Sequence, residues 1–97
     1  MADDQHMAVR LVIRGKVQGV WFRNWTVGEA KALGLDGWVR NRADGSVEAL
    51  ISGPGTALRN MVARCHDGPP LARVDEIEEH TAERLPSGSG FEQRPSA

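Results

Sequence analysis

The chain has 97 residues, 40% of them hydrophobic, with 12 basic against 13 acidic side chains. That length suits one domain and one core, and the balanced charge argues against a nucleic-acid binder that works through a basic face. No apolar run reaches the ~20 residues of a membrane helix, the polar start MADDQHM does not read as a signal peptide, and a lone Cys65 excludes an intrachain disulfide, so a cytoplasmic protein is expected.

Residues 1–6 read as a disordered tail and residues 7–97 as a single domain. Met7 to Arg14 alternates, with Val9, Leu11 and Ile13 on one face and Arg10, Val12 and Arg14 on the other, which predicts a strand ended by Gly15. Phe22, Thr26, Ala30 and Leu33 then fall near helical spacing, and Gly34 suits a left-handed C-terminal cap. LDGWVRNR, residues 35 to 42, is a short strand, and Asp44-Gly45 is a hairpin signal because glycine tolerates positive φ. Ser46 to Ser52 alternates again, with Val47, Ala49 and Ile51 facing one way. Gly53-Pro54-Gly55 breaks that strand and precedes a second helix, about Thr56 to His66, striped by Leu58, Met61, Val62 and Cys65. Asp67-Gly68-Pro69-Pro70 stops the helix. Ala72 to His80 reads as a strand whose Val74 and Ile77 break alternation, as a bulge would. Residues 86 to 90 form a loop, and Phe91 to Arg94 a short last strand.

The order β-α-β-β-α-β, plus a terminal strand, predicts an α+β fold. It is a ferredoxin-like split βαβ sandwich, an antiparallel sheet with two helices on one face and a short fifth strand. The first two strands run parallel through a right-handed crossover, and the third returns between them. The turn from Gly15 to Phe22 and the segment Arg40-Asn41-Arg42 therefore meet at one end of the sheet.

That turn, GKVQGVWFR, has the chemistry of an anion site. A helix N-terminus offers unpaired N–H groups and partial positive charge. Glycines let successive N–H groups converge on one oxyanion, and the Arg23 guanidinium offers paired donors to a phosphate or carboxylate. Tight turns before helices also occur with no ligand at all, and Asn41 taken alone reads better as a cap for the Asp44-Gly45 hairpin than as a site residue.

GKVQGVWFR resembles the signature loop of the acylphosphatases, GWVRNRADGSVE (residues 37 to 48) resembles their second signature, and GPPLARVDEIE (residues 68 to 78) a later segment of the same family. The likeness runs from about Val9 to Phe91. It implies a small ferredoxin-like enzyme that hydrolyses the carboxyl–phosphate bond of acyl phosphates, releasing carboxylate and inorganic phosphate. It implies that Arg23 binds the phosphoryl group, that Asn41 orients the attacking water, and that main-chain N–H groups of Gln18, Gly19, Val20, Trp21 and Phe22 cradle the phosphate. No cofactor or metal is implied, and the expected partner is a small acyl phosphate, with a monomer as the working state. Related domains also occur within larger carbamoyl-phosphate-processing proteins. The absence of zinc-type cysteine pairs leads us to expect a free-standing chain.

The residues themselves favour this chemistry. An Asn carboxamide is a poor base, but a carboxylate leaving group, whose conjugate acid has a pKa of ~4, departs without a general acid. Positioning and charge stabilisation then suffice. Competing readings are weaker: His6, His66 and His80 lack ligand spacing for a metal, and no paired thiolates suit a metal carrier. Arg10, Val12 and Arg14 make a poor stacking surface for RNA. A phosphate sensor without activity would use the same loop. Trp21, Trp25 and Trp38 are expected to pack rather than stack on a ligand. Cys65 is expected in the core, and Asp75, Glu76, Glu78 and Glu79 on a solvated strand edge.

Overall fold

The computed structural model describes residues 5–82 and 89–97, so Pro86 to Gly88 of the expected loop and residues 1–4 of the expected tail lie outside the described residues. Five strands, β1 (His6–Lys16), β2 (Asp36–Asn41), β3 (Val47–Pro54), β4 (Arg73–Thr81) and β5 (Phe91–Gln93), alternate with helices α1 (Phe22–Ala32) and α2 (Gly55–Asp67) in the order β1-α1-β2-β3-α2-β4-β5. The sheet order is β4-β1-β3-β2-β5. The split βαβ arrangement of β1 to β4 is the one expected. The β1–β3, β1–β4 and β2–β3 pairs are antiparallel, while β5 lies parallel to β2, so the sheet is mixed.

Alternation explains which face of the sheet is buried. Leu11, Ile13, Val39, Val47, Ala49 and Ile51 are fully buried beneath the helices. Phe22, Thr26 and Ala30 turn one stripe of α1 inward, and Leu58, Met61 and Cys65 do the same for α2. Each fully buried large apolar side chain contributes about 1.5–3 kcal/mol relative to exposure. Helix α1 packs over β2 and β5, and α2 over β3, β4 and β1. Burial, with a smaller push from Glu29, raises the Cys65 thiol to about 12, so it is an inert core group.

The open face of the sheet is closed by ion pairs. Glu48 accepts from Arg10 at 3.0 Å and from Arg40 at 2.7 Å, and Glu78 accepts from Arg14 at 2.8 Å. Val12 stands opposite Glu48 on one side and Glu78 on the other, and is buried although it faces away from the helices. Trp38 packs on this face under the guanidiniums of Arg40 and Arg94, 4.7 and 5.2 Å from its ring centre.

Two expectations are corrected. Strand β1 does not end at Gly15 but continues to Lys16. Gly15 faces the β4 bulge, where the register steps from Arg14↔Glu76 to Gly15↔Val74 and leaves Asp75 unmatched. The bulge itself is where the broken alternation of Val74 and Ile77 suggested. Trp21 does not pack: it is 73% exposed.

Candidate active site

The C-terminal ends of β1 and β2 lie at the same end of the sheet, because Val47 on β3 pairs with both Ile13 and Asn41. The β1–α1 turn and the end of β2 therefore face each other across a cavity of about 360 Å³. Val17, Gly19, Trp21, Phe22, Arg23, Asn24, Asn41 and Gln93 line it. Arg23 and Asn41 meet there as the topology predicts.

The turn is built for converging donors. Gly19 (φ 74°) and Trp21 (φ 67°) are both left-handed, which curls the chain just before the helix. The Trp21 carbonyl accepts the first helical bond, from the Trp25 N–H at 2.9 Å. No side chain caps α1 and no acidic residue sits in its first turn, so its N-terminal positive potential is not neutralised. Among the described residues, the backbone N–H groups from Gln18 to Phe22 donate no backbone hydrogen bond. These are the features of an anion nest.

Side chains of the loop diverge. Val20 and Phe22 are buried in the core and anchor the turn from below. Trp25 braces Phe22 edge-on, with ring centres 5.4 Å apart. The Gln18 side chain turns away from the cavity to the β2–β3 hairpin, where its Nε2 donates to the carbonyls of Arg42 at 2.8 Å and Ser46 at 2.9 Å. The sequence reading missed this clamp: it used the Gln18 main chain only.

The hairpin is closed without Asn41. Asp44 Oδ1 accepts from the Ser46 N–H at 2.9 Å and from the Ser46 hydroxyl. Those two bonds, the hydroxyl's first, hold the Asp44 carboxyl down at about 2. Asn41 is thereby free of the capping role. Its backbone carbonyl accepts the Ala97 N–H at 3.0 Å, and the Ala43 N–H donates to Ala97 at 3.1 Å. The C-terminal segment thus braces the strand end that carries the carboxamide. Asn41 Oδ1 is buried and has no hydrogen-bond partner among the described residues. A buried acceptor left unsatisfied costs about 1–3 kcal/mol, so this atom is poised for a ligand or a water.

Arg23 is available as well. The guanidiniums of Arg10, Arg14, Arg40, Arg64, Arg73 and Arg94 each sit within 3.5 Å of a carboxylate, and Arg23 has no such partner among the described residues. Among the described residues, no carboxylate or imidazole lines the cavity and no group of three metal-ligating side chains occurs. Asn24 and Gln93 complete the wall. Gln93 was out of reach for the sequence reading, since only the parallel pairing of a three-residue strand brings it there.

Comparison with known proteins decides the family. The acylphosphatase family model matches residues 9–93. The chain belongs to the acylphosphatase family. It is 54% identical over 92 residues to an acylphosphatase of Rhizorhabdus wittichii, covering 93% of this chain and 90% of that one. To an acylphosphatase of Rhodospirillum rubrum it is 58% identical over 84 residues, covering 87% and 91%. The crystal structure of acylphosphatase from Bacillus subtilis superposes with a TM-score of 0.86 at 36% identity, over 91% of this chain and 98% of that one. The protein is an acylphosphatase, a hydrolase of acyl phosphates with the ferredoxin-like fold of that family.

Proposed function

We propose that Arg23 and the loop amides of Gln18, Gly19, Val20, Trp21 and Phe22 hold the phosphoryl group, and that Asn41 directs the water. The observation that carries this reading is the buried, unpartnered Asn41 Oδ1 on the wall of the cavity that Arg23 also lines. A water that donates one O–H to this oxygen has its lone pair turned toward a phosphorus gripped by the amides. The water oxygen bonds to phosphorus, and the bond from phosphorus to the acyl oxygen breaks. Its electron pair leaves with the carboxylate. The water's proton passes to a phosphoryl oxygen of the substrate, giving dihydrogen phosphate. Neither a protein base nor a protein acid is required, in keeping with a cavity wall that holds no carboxylate or imidazole among the described residues. Negative charge accumulates on the peripheral phosphoryl oxygens in the transition state, where the N–H groups and the guanidinium meet it.

Residues 7–97 are proposed to act as one domain, supported by a core that draws on all five strands and both helices. A monomer in the cytoplasm is the companion proposal. The chain is nearly neutral overall, its only cysteine is a core residue, and no described helix is long and apolar enough to cross a membrane.

The test is hydrolysis of benzoyl phosphate followed in the ultraviolet with a chelator present. Removing one preorganised donor to a developing charge costs on the order of a hundredfold or more. Arg23→Ala should lose at least that much turnover and most affinity for inorganic phosphate. Asn41→Ala should lose a similar factor in kcat while phosphate still binds. Equal loss of phosphate binding in both variants would refute the division of labour.

A further inference from the structure

Trp21 is unexplained by anything the fold or the phosphate site requires of its side chain. Its neighbours Val20 and Phe22 are buried, whereas Trp21 is 73% exposed, so its indole adds nothing to the core. Its backbone is left-handed (φ 67°, ψ 18°), a conformation that disfavours a bulky residue and suits glycine. Met7 and Leu71 are the other large hydrophobics exposed among the described residues, and of the three only Trp21 lines the cavity.

The geometry gives that indole a task. The curl at Gly19 and Trp21 turns the loop amides toward the phosphoryl group. Arg23 and Asn41 supply further polar contacts from the wall, leaving the acyl half of the substrate to extend toward the mouth. Asn24 and Gln93 on that wall are polar, and Phe22 is buried. Trp21 is the exposed apolar surface an emerging acyl group meets.

We propose that Trp21 is a specificity-determining residue, its indole face binding the acyl group and favouring aromatic and large apolar acyl phosphates over acetyl phosphate. This rests on the reading of the loop as the phosphate site. An aromatic contact of this kind changes selectivity by about fivefold.

The experiment compares kcat/KM for benzoyl phosphate and acetyl phosphate in the wild type, Trp21→Gly and Trp21→Phe. Glycine keeps the amide and relieves the left-handed backbone; phenylalanine keeps an aromatic face. The benzoyl-to-acetyl ratio should fall about fivefold in Trp21→Gly, chiefly through KM for benzoyl phosphate, and should be retained in Trp21→Phe. Any loosening of the loop by glycine acts on both substrates alike and leaves the ratio unmoved. An unchanged ratio in Trp21→Gly, with both substrates still hydrolysed, would overturn this inference alone. Phosphate inhibition retained at wild-type strength in Arg23→Ala would instead count against the site reading, and this inference would fall with it.

Discussion

Gln18 joins two segments that must be aligned for any in-line attack. Its single Nε2 reaches two carbonyls of the hairpin, at Arg42 and Ser46, while its own backbone belongs to the turn between β1 and α1. Those carbonyls are also tied to each other's turn, since the Arg42 N–H donates to Ser46 and the Gly45 N–H to Arg42. The Gln18 side chain therefore fixes the turn relative to the hairpin, and with the proposed site it becomes a positioning group. Gln18→Ala is predicted to lower kcat by about tenfold or more, because small misplacements at a reacting centre are costly. KM should change less. The melting temperature should fall only as two neutral hydrogen bonds allow, about 1 kcal/mol each. Steady-state kinetics beside thermal melting checks this: a fall in melting temperature with unchanged kcat would leave Gln18 a structural contact only. That Arg23 and Asn41 would meet at one end of the sheet was legible from the chain order. The Gln18 clamp was not, because which way a loop side chain turns depends on how far away the hairpin lies.

At the scale of elements, the two glycines of the first turn separate into different tasks. Gly15 is not part of the cradle. It sits where β1 crosses the β4 bulge with φ 130°, and a Cβ there would collide with the Arg73 carbonyl oxygen. Gly19 has open space around a Cβ but φ 74°. Gly15→Ala is accordingly predicted to cost about 2–4 kcal/mol of stability, as a backbone clash that strands must move apart to relieve. Gly19→Ala should cost about 1–2 kcal/mol through its left-handed backbone alone. Urea unfolding of the two variants checks the order, and equal losses would contradict the separate roles. The first strand, both helices and the Asp44-Gly45 hairpin were readable because period-2 and period-3.6 patterns and turn residues announce them. The continuation of β1 past Gly15 was hidden, since its cause is a bulge on a strand distant in sequence.

At the scale of the whole molecule, Arg14 ties three parts of the sheet together. Its guanidinium donates to Glu78 on β4 at 2.8 Å and to Asp44 in the hairpin at 3.3 Å. The Glu78 carboxyl is lowered chiefly by the hydrogen bond from Arg14, and that of Asp44 to about 2 chiefly by Ser46. Both carboxyls bind protons less readily folded than unfolded. Their stabilisation is therefore complete above the unfolded carboxylate pKa of ~4 and is lost as pH falls through the lower folded values. Stability should decline between pH ~5 and ~2. Asp44→Asn should flatten that decline, most of all in its acid half; urea midpoints at several pH values check it, and an identical pH slope in wild type and variant would contradict it. Asp44 is exposed in the hairpin and Glu78 half-exposed on β4, so added salt should weaken the Arg14 contribution.

Local chemistry alone determined the element types, the buried faces, the hairpin and the family to which the loop belongs, because periodicity, glycine placement and short motifs act over a few residues. The strand order β4-β1-β3-β2 followed from chain order and crossover handedness, which are also properties of the linear chain. Only the tertiary structure decided that Asn41 Oδ1 is buried without a partner among the described residues, that Gln18 faces the hairpin, that the C-terminal segment braces β2, and that Trp21 stands in solvent. Each of these depends on the distance and angle between segments remote in sequence, and packing, rather than any local preference, sets those.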